Sequence, residues 1–211
     1  MSKIRMLTIG VALAVIFAGS MAGPVMSDVE QPAYTVVSSQ DDIEIRRYAP
    51  MIVAEVQVNG ERGDATGKGF RLLADYIFGN NTVRRDIAMT APVQQQGQFQ
   101  KIAMTAPVQQ QASDRFWTIS FVMPSEYTMQ TLPKPNNDKV KIRNVPAKRY
   151  IAIRFSGRNT DSNVREHEAK LMAYIAQNNI KVSGSAKYAF YNPPWTLPFL
   201  RRNEVMFEIA R

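Results

Sequence analysis

The chain has 211 residues, of which 45% are hydrophobic and 21% charged, a composition typical of globular proteins and not of disordered or collagen-like chains. The formal net charge is +8, and basic proteins can bind nucleic acid, anionic lipid or anionic small molecules. Because the chain has no cysteine, disulfides, thiolate catalysis, iron–sulfur clusters and thiolate zinc sites are excluded. The single histidine, His167, also excludes a metal site built from several histidines.

The first 22 residues have the pattern of a secretory signal peptide. A short basic start precedes an apolar stretch from Met6 to Ala18, and small residues end at Ala22. This stretch is too short to span a bilayer comfortably, although an uncleaved anchor is the alternative. We therefore expect a periplasmic or secreted protein without stable membrane insertion. Its mature chain would have a flexible N-terminus over 23–33 and one domain over 34–211.

The first elements after this N-terminus are two predicted strands. Residues 43–47 alternate between apolar and charged, and residues 53–58 form a β-branched, extended stretch. We expect these strands to pair antiparallel on either side of Ala49-Pro50. Further strands are predicted over 116–123, 186–191 and 205–209, with a mid-chain loop over 132–137.

Two amphipathic helices are predicted between the strands. The first runs over about 65–78, with Asp64 or Thr66 as its N-terminal cap and a Gly-Asn pair at its end. The second begins at a Thr-Asp-Ser cap over 160–162 and ends at Asn178. Apolar residues at spacings of three and four give each helix one face for a core.

A short repeat occurs twice without change. The segment IAMTAPVQQQ spans Ile87–Gln96 and again Ile102–Gln111, which suggests a hairpin with its turn near Gly97. Proline cannot donate a ladder hydrogen bond, so Pro92 and Pro107 are expected at edge positions or strand ends.

A longer, degenerate repeat has an offset of 97 residues. Residues 43–46 match 140–143, and residues 56–60 match 153–157. Each half therefore predicts two strands, a helix and further strands. Strands that outnumber two helices in a duplicated unit predict an α+β fold, with a sheet curled around a cleft for a ligand.

Four segments carry a resemblance to a known family: YTVVSSQDDIEIRRYAPMIVAEV, the doubled IAMTAPV, FVMPSEYTMQTLPKPNN and YNPPWTLPFLRRNEVMFEI. From about Tyr34 to Arg211 the chain resembles the SOUL heme-binding protein family in its bacterial, exported form. The resemblance implies a distorted antiparallel β-barrel flanked by two α-helices and duplicated about a pseudo-twofold axis, similar to effector-binding domains. It also implies binding of heme or a related tetrapyrrole in an apolar cleft.

A porphyrin is a flat apolar disc with two propionates, so its site needs apolar walls and cations at the rim. The predicted wall residues are Met51, Phe70, Leu73, Ile77, Met89 and Trp195. The predicted rim cations are Lys68, Arg71, Arg201 and Arg202. His167 is the candidate axial ligand of the heme iron, although its charged neighbours favour an ordinary boundary position on the second helix. Heme binding without a strong axial bond is the alternative.

Three arginine pairs have structural interpretations as well. Arg46-Arg47 and Arg84-Arg85 are expected on solvated faces. Arg201-Arg202 either clamps an anionic ligand or forms a turn in which Glu204 pairs with one arginine.

The chain contains no recognisable catalytic motif, so we do not expect an enzyme. The predicted function is a carrier, scavenger or buffer of heme or another tetrapyrrole, without a nucleic-acid partner and as a monomer. The first alternative is an effector-binding module for a different small molecule, which carboxylates in the cleft would favour. A less favoured alternative is an enzyme that acts on a bound small molecule.

Overall fold

The fold is one curled antiparallel sheet with two helices on one of its faces. The computed structural model describes residues 29–98 and 116–210. The strands are β1 (Tyr34–Gln40), β2 (Ile43–Tyr48), β3 (Met51–Asn59), β4 (Val93–Gln98), β5 (Phe116–Val122), β6 (Lys141–Val145), β7 (Lys148–Phe155), β8 (Val182–Phe190) and β9 (Asn203–Ile209). The helices are α1 (Arg62–Ile77) and α2 (Asp161–Gln177), and a 3-10 turn spans Pro198–Leu200. The predicted α+β class is confirmed.

The strand order is β1-β2-β7-β9-β8-β4-β5-β3-β6, and every neighbouring pair is antiparallel. The predicted pairing of β2 with β3 is therefore wrong. β2 pairs with β1 through a two-residue turn at Asp41-Asp42, where Asp41 has a φ of 51°. β1 occupies one edge of β2 and β7 occupies the other, so β3 pairs elsewhere, next to the opposite end of the sheet.

The strand order has the same form when it is read from either direction. The series β2-β7-β9-β8 corresponds to β6-β3-β5-β4, and α1 corresponds to α2. The 97-residue offset connects these equivalent elements, because Gly60 follows β3 as Gly157 follows β7. Both glycines have a positive φ, 121° and 100°, a conformation that glycine adopts without a steric cost. An origin of the two halves by duplication remains a prediction.

The helices begin at different kinds of cap. Thr160 caps α2 as predicted, because its hydroxyl accepts a hydrogen bond from the Asn163 backbone N–H at 3.4 Å. α1 begins at Arg62, three residues earlier than predicted, after Glu61, whose side chain makes no capping bond. The Thr66 hydroxyl instead donates to the Arg62 carbonyl inside the helix.

Both helices pack on the same face of the sheet. α1 buries Leu73, Tyr76 and Ile77 against β3 and β5, and α2 buries Leu171 and Ile175 against β7 and β9. The alternate residues of these strands point to the opposite face, which no helix covers in the part of the chain that the structure describes. This arrangement leaves the concave face of the sheet open for a ligand.

β4 lies in the middle of the sheet, between β8 and β5. The predicted turn at Gly97 is wrong, since the strand continues through Gly97, which pairs with Trp117. Pro92 stands immediately before β4 and follows a cis peptide bond, as expected for a proline at a strand end. The second copy of the repeat, Pro107 and the signal peptide lie outside the described residues.

The predicted strands over 116–123, 186–191 and 205–209 are confirmed, and β8 begins four residues earlier than expected. The mid-chain segment over 132–137 is a loop, as predicted.

The structured part of the chain already includes residues 29–33, which the sequence predicts as flexible. The Glu30 carbonyl accepts from the Ala91 N–H at 3.0 Å, and the Ala33 carbonyl accepts from Ala49 at 3.0 Å. Val29 packs on an apolar cluster with Tyr48 and neighbouring residues. The domain therefore extends at least from residue 29 to residue 210. Among these described residues, no helix is long and apolar enough to cross a membrane.

Candidate functional site

A cleft lies on the face of the sheet opposite the helices. Strand alternation creates it: on β3, Ala54 and Val56 pack beneath α1, whereas Glu55 and Gln57 line the cleft. The cleft holds about 790 Å³ of space when its open mouth is included. Every strand except β1 contributes to its lining.

The cleft combines apolar walls with a polar floor. The apolar lining residues are Met51, Val53, Val145 and Met206, with the rings of Tyr48 and Tyr150. The polar lining residues are Gln57, Gln94, Gln96, Thr118 and Ser120. The hydroxyl of Thr118 is buried and makes no hydrogen bond with any described residue. A ligand with an apolar body and polar groups would match both surfaces.

Lys187 is the unusual residue of the cleft. Its ammonium group donates to the Tyr150 hydroxyl at 3.0 Å and lies 5.1 Å from the centre of that ring. No carboxylate of residues 29–98 or 116–210 lies within 4.0 Å of it as an ion-pair partner. Burial lowers the pKa of Lys187, and the nearby charge of Lys148 lowers it further, while Glu208 and Glu55 act in the opposite direction. The lysine is thus a poorly neutralised cation facing an open cleft.

Arg143 provides the second cation, at the rim of the cleft. Its side chain is 61% exposed and its Nε lies 3.2 Å from Glu55 Oε1. Glu55 is the one carboxylate among the described lining residues. One carboxylate and two cationic side chains line the cleft, so its net charge is positive and suits an anionic ligand.

A buried ion network lies on the same side of the sheet. The Glu204 carboxylate accepts from Arg46 Nη1 at 2.7 Å, from Arg202 Nη2 at 2.7 Å and from the Tyr191 hydroxyl at 2.9 Å. The predicted pairing of Glu204 with one arginine of the Arg201-Arg202 turn is confirmed. Burial alone would raise the pKa of Glu204, but the hydrogen bonds and charges of Arg46 and Arg202 hold it below its ordinary value.

The prediction of a solvated position is wrong for Arg46, which is 1% exposed. Alternation along β2 puts Arg46 on the cleft side, where its guanidinium lies 4.6 Å from the Tyr34 ring centre. Its partner Glu204 is 158 residues away in the chain, so no local pattern could indicate the pair. Arg47 is exposed, as are Arg84 and Arg85, in agreement with the prediction.

The predicted porphyrin site does not come together in one place. Of its ten residues, Met51 lines the cleft. Leu73 and Ile77 do not, because they are 0% and 1% exposed between α1 and the sheet. Phe70 is on the same helix, with its ring edge against Phe121 at a centroid distance of 5.4 Å. Lys68 and Arg71 are exposed on α1, on the face of the sheet opposite the cleft.

The remaining predicted residues have other surroundings. Met89 is 38% exposed in the segment before β4, and Trp195 is 81% exposed in the loop between β8 and β9. Arg201 donates to the carbonyl oxygens of this loop, and Arg202 pairs with Glu204 while its guanidinium lies 4.0 Å from the Tyr191 ring centre. Both guanidinium groups therefore already make structural contacts within the protein.

His167 belongs to the packing of α2. Its ring stacks on Phe155 with a centroid distance of 4.0 Å and an interplanar angle of 10°. Its Nδ1 makes a hydrogen bond of 2.8 Å with the Asn163 carbonyl one turn earlier. Because α2 covers the other face of the sheet, the ring lies away from the cleft, and iron ligation by His167 remains an untested prediction.

Lys187, Arg143 and Glu55 are the charged cleft residues that the sequence interpretation missed. A signal was present in the predicted strand over 186–191, where Lys187 stands between Ala186 and Tyr188. A lysine between two apolar residues of a strand points to the face opposite theirs. Which face is lined by other strands depends on long-range pairing, so the cleft itself could not be foreseen.

The family comparison covers nearly the whole described fold. A sequence model described as SOUL heme-binding protein matches residues 29–208. The chain belongs to the SOUL heme-binding family. A comparison with curated protein sequences gives no match.

Solved structures show the same fold at low sequence identity to this SOUL protein. The C-terminal domain of EcmrR is 12% identical with a TM-score of 0.60, and the match covers 84% of this chain and 98% of that domain. EcmrR in a DNA complex gives 10% identity and a TM-score of 0.59, over 80% of this chain and 57% of the other. A Listeria innocua protein described as a hydrolase is 10% identical with a TM-score of 0.54, and the match covers 82% of this chain and 94% of that protein. These likenesses concern the fold alone.

The cleft fits the periphery of a heme better than its iron. Met51, Val145 and Met206 offer apolar contact, and Lys187 with Arg143 offers cations for carboxylates. No histidine is among the described residues that line the cleft. A heme in this position would be held by its edge charges and its apolar faces.

Proposed function

We propose that this SOUL-family protein binds heme or a related anionic tetrapyrrole in the cleft opposite the helices. The observation that supports this most strongly is Lys187, a partly buried ammonium whose described partner is a neutral tyrosine hydroxyl. An uncompensated buried cation is costly in a folded protein. A propionate that enters the cleft could act as the counter-ion of Lys187, so electrostatic attraction would favour binding.

The proposed complex assigns a task to each part of the lining. Lys187 and Arg143 bind the propionates, while Met51, Val145 and Met206 contact the ring faces. A bound heme would supply its own redox and gas-binding chemistry, whereas the protein binds and orients the macrocycle. Since these residues do not depend on iron, protoporphyrin without metal should bind as well as hemin does.

Titration with hemin and with protoporphyrin, followed by visible absorbance, tests the proposal. Lys187→Met should lower the affinity for both ligands by about tenfold or more, because a charge-assisted hydrogen bond is lost. Lys68→Gln with Arg71→Gln is the matched control on α1 and should leave both affinities unchanged. His167→Ala should also leave them unchanged.

Three results would contradict this assignment. Saturable binding that survives Lys187→Met but is lost in the α1 variant would move the site to the helix face. Loss of hemin binding alone in His167→Ala would make that histidine the iron ligand. An absence of saturable binding of either tetrapyrrole would remove the proposed function.

A second candidate is a more polar anionic small molecule. The floor with Gln94, Gln96, Thr118 and Ser120 favours it, because these groups offer more hydrogen bonds than a porphyrin face can use. The single carboxylate, paired with Arg143, makes a cationic ligand less suitable. Binding of a small dicarboxylate, with no response to either tetrapyrrole, would favour this candidate.

We also propose that the protein works outside the cytoplasm, as a periplasmic or secreted carrier, scavenger or buffer. The signal-like N-terminus supports this location. Cell fractionation with N-terminal sequencing tests it, and a product beginning at Gly23 is expected. An unprocessed cytoplasmic chain would contradict it.

A further inference from the structure

The loop between β8 and β9 presents a cluster of exposed apolar side chains. This proline loop, residues 193–200, carries Trp195 at 81% exposure, Leu197 at 55%, Phe199 at 70% and Leu200 at 51%. Single exposed apolar residues are common, but four large ones within six positions form a patch typical of interaction surfaces. None of the four lines the cleft.

The proline loop is held in shape by Arg201. The guanidinium donates through Nε to the Thr196 carbonyl at 2.8 Å and through Nη2 to the Pro194 carbonyl at 2.5 Å. The Pro198 carbonyl accepts from the Arg201 N–H at 3.1 Å and from the Gly157 N–H at 2.8 Å. The apolar side chains are therefore presented on an ordered turn, which reduces the entropy lost when they bind.

Several backbone groups of this loop are hydrogen-bonded within the protein. Besides the bonds of Arg201, the Pro193 carbonyl accepts from Thr196 at 3.1 Å, and Leu197 accepts from Leu200 at 2.9 Å. Prolines at 193, 194 and 198 remove three N–H donors. A segment that enters an apolar medium must satisfy its backbone internally. These bonds and the missing donors bring the loop closer to that condition.

The charge of the surroundings favours an anionic surface. The whole chain has a formal net charge of +8. The exposed Arg158 directly follows Gly157, whose N–H is bonded to the Pro198 carbonyl of the loop. Basic residues beside an apolar insertion segment are attracted to anionic head groups. Tryptophan is the side chain most typical of the membrane–water interface.

We propose that the proline loop docks the protein reversibly onto an anionic lipid bilayer. Trp195, Leu197, Phe199 and Leu200 enter the head-group region, and Arg158 lies near the lipid phosphates. Docking of this kind is peripheral and needs no membrane-spanning helix, of which the described residues contain none.

The two tryptophans provide a direct test. Trp117 is 8% exposed in β5, so Trp117→Phe leaves Trp195 as the reporter of the loop. The chain from residue 23 onward is used, because it contains the whole described fold without the apolar leader. With phosphatidylcholine vesicles that contain phosphatidylglycerol, we expect a blue shift of Trp195 emission and co-sedimentation. Both signals should decrease with salt and be smaller with pure phosphatidylcholine.

The loop variant Phe199→Ser with Leu200→Ser keeps the reporter and should weaken vesicle binding by roughly tenfold or more. The matched control is Val36→Ser with Val37→Ser, at 49% and 50% exposure on the edge strand β1. This control should bind vesicles normally. Thermal unfolding of each variant verifies that it is folded.

Several outcomes would overturn the proposal. An unchanged Trp195 spectrum without co-sedimentation would do so, as would equal binding by the loop variant. A wild-type chain that self-associates without binding lipid, together with a monomeric loop variant, would make the loop an interface between copies. A loop variant that keeps vesicle binding but loses hemin would assign the loop to the tetrapyrrole site. The proposal does not depend on the cleft, because Lys187→Met should bind vesicles normally.

Discussion

At the scale of single residues, Glu204 is a fully buried carboxylate at the centre of an ion network. It is 0% exposed and accepts from two arginines, of which Arg46 is itself 1% exposed. The buried Arg46 and the partly buried Arg202 thus share this carboxylate, and Arg46 also pairs with Glu44 at 2.6 Å. The net contribution of such a network to stability is modest, but removal of its centre leaves Arg202 without its carboxylate and Arg46 with Glu44 alone.

Glu204→Gln should therefore destabilise the fold by about 3–5 kcal/mol, measured by denaturant unfolding at neutral pH. The pKa of Glu204 is lower in the folded state than in the unfolded state. Its contribution is complete above the unfolded pKa and is lost as the pH falls through the folded pKa. The wild-type stability should consequently decline on acidification more steeply than that of the variant.

Glu166→Gln is the control for this prediction. Glu166 pairs with Lys170 on the exposed side of α2, and its replacement should change unfolding very little. A Glu204→Gln protein as stable as the wild type, with the same pH profile, would show that the network is not required.

At the scale of elements, the sequence predicts correctly those helix ends and strands that depend on neighbouring residues. The Thr160 cap, the ends of both helices near 78–80 and 178, and the strands at 116–123 and 205–209 follow from neighbouring residues. The partners of β2 and β3 do not, because pairing depends on the sheet order. The same limit explains why the sequence predicts a solvated Arg46 and a ligand-contacting Leu73, whereas both are buried.

The contact of α1 with the sheet depends on a glycine. A Cβ on Gly69 would overlap Cγ1 of Ile119, a buried side chain of β5. Gly69→Ala should therefore destabilise the fold by about 1–3 kcal/mol, because the helix must move away from the strand. The change is measured by thermal or denaturant unfolding.

Gly63 provides the comparison within the same helix. No atom lies within 4 Å of a Cβ at this position, so Gly63→Ala should be neutral or stabilise by up to about 1 kcal/mol through helix propensity. If the two alanine variants had the same stability, the close approach of α1 to β5 would not be limiting.

At the scale of the whole molecule, the two faces of the sheet have different tasks. The helices cover one face and provide the apolar cores, so that the other face can carry Lys187 and the polar floor. The lysine reduces the stability of the ligand-free protein because burial disfavours its charged form. Stability and the proposed anion binding are therefore opposed at this residue.

Lys187→Met should stabilise the ligand-free protein by about 1 kcal/mol near neutral pH while it weakens tetrapyrrole binding. The folded pKa of Lys187 lies below its unfolded value of 10.5. The unfavourable contribution is complete below the folded pKa and declines as the pH rises from the folded pKa to the unfolded pKa. The stability advantage of the variant should accordingly be largest at lower pH and become smaller in alkaline solution.

An anionic ligand reverses this relation, because it favours the protonated lysine and raises its pKa. Binding should then take up protons, and the wild-type affinity should fall as the pH rises through the pKa of the free protein. In Lys187→Met this part of the pH dependence should be absent, which calorimetric titration in two buffers of different ionisation enthalpy would detect. Equal proton uptake by both proteins would mean that the ligand does not contact Lys187, and it would contradict the assignment of the anion site to the cleft.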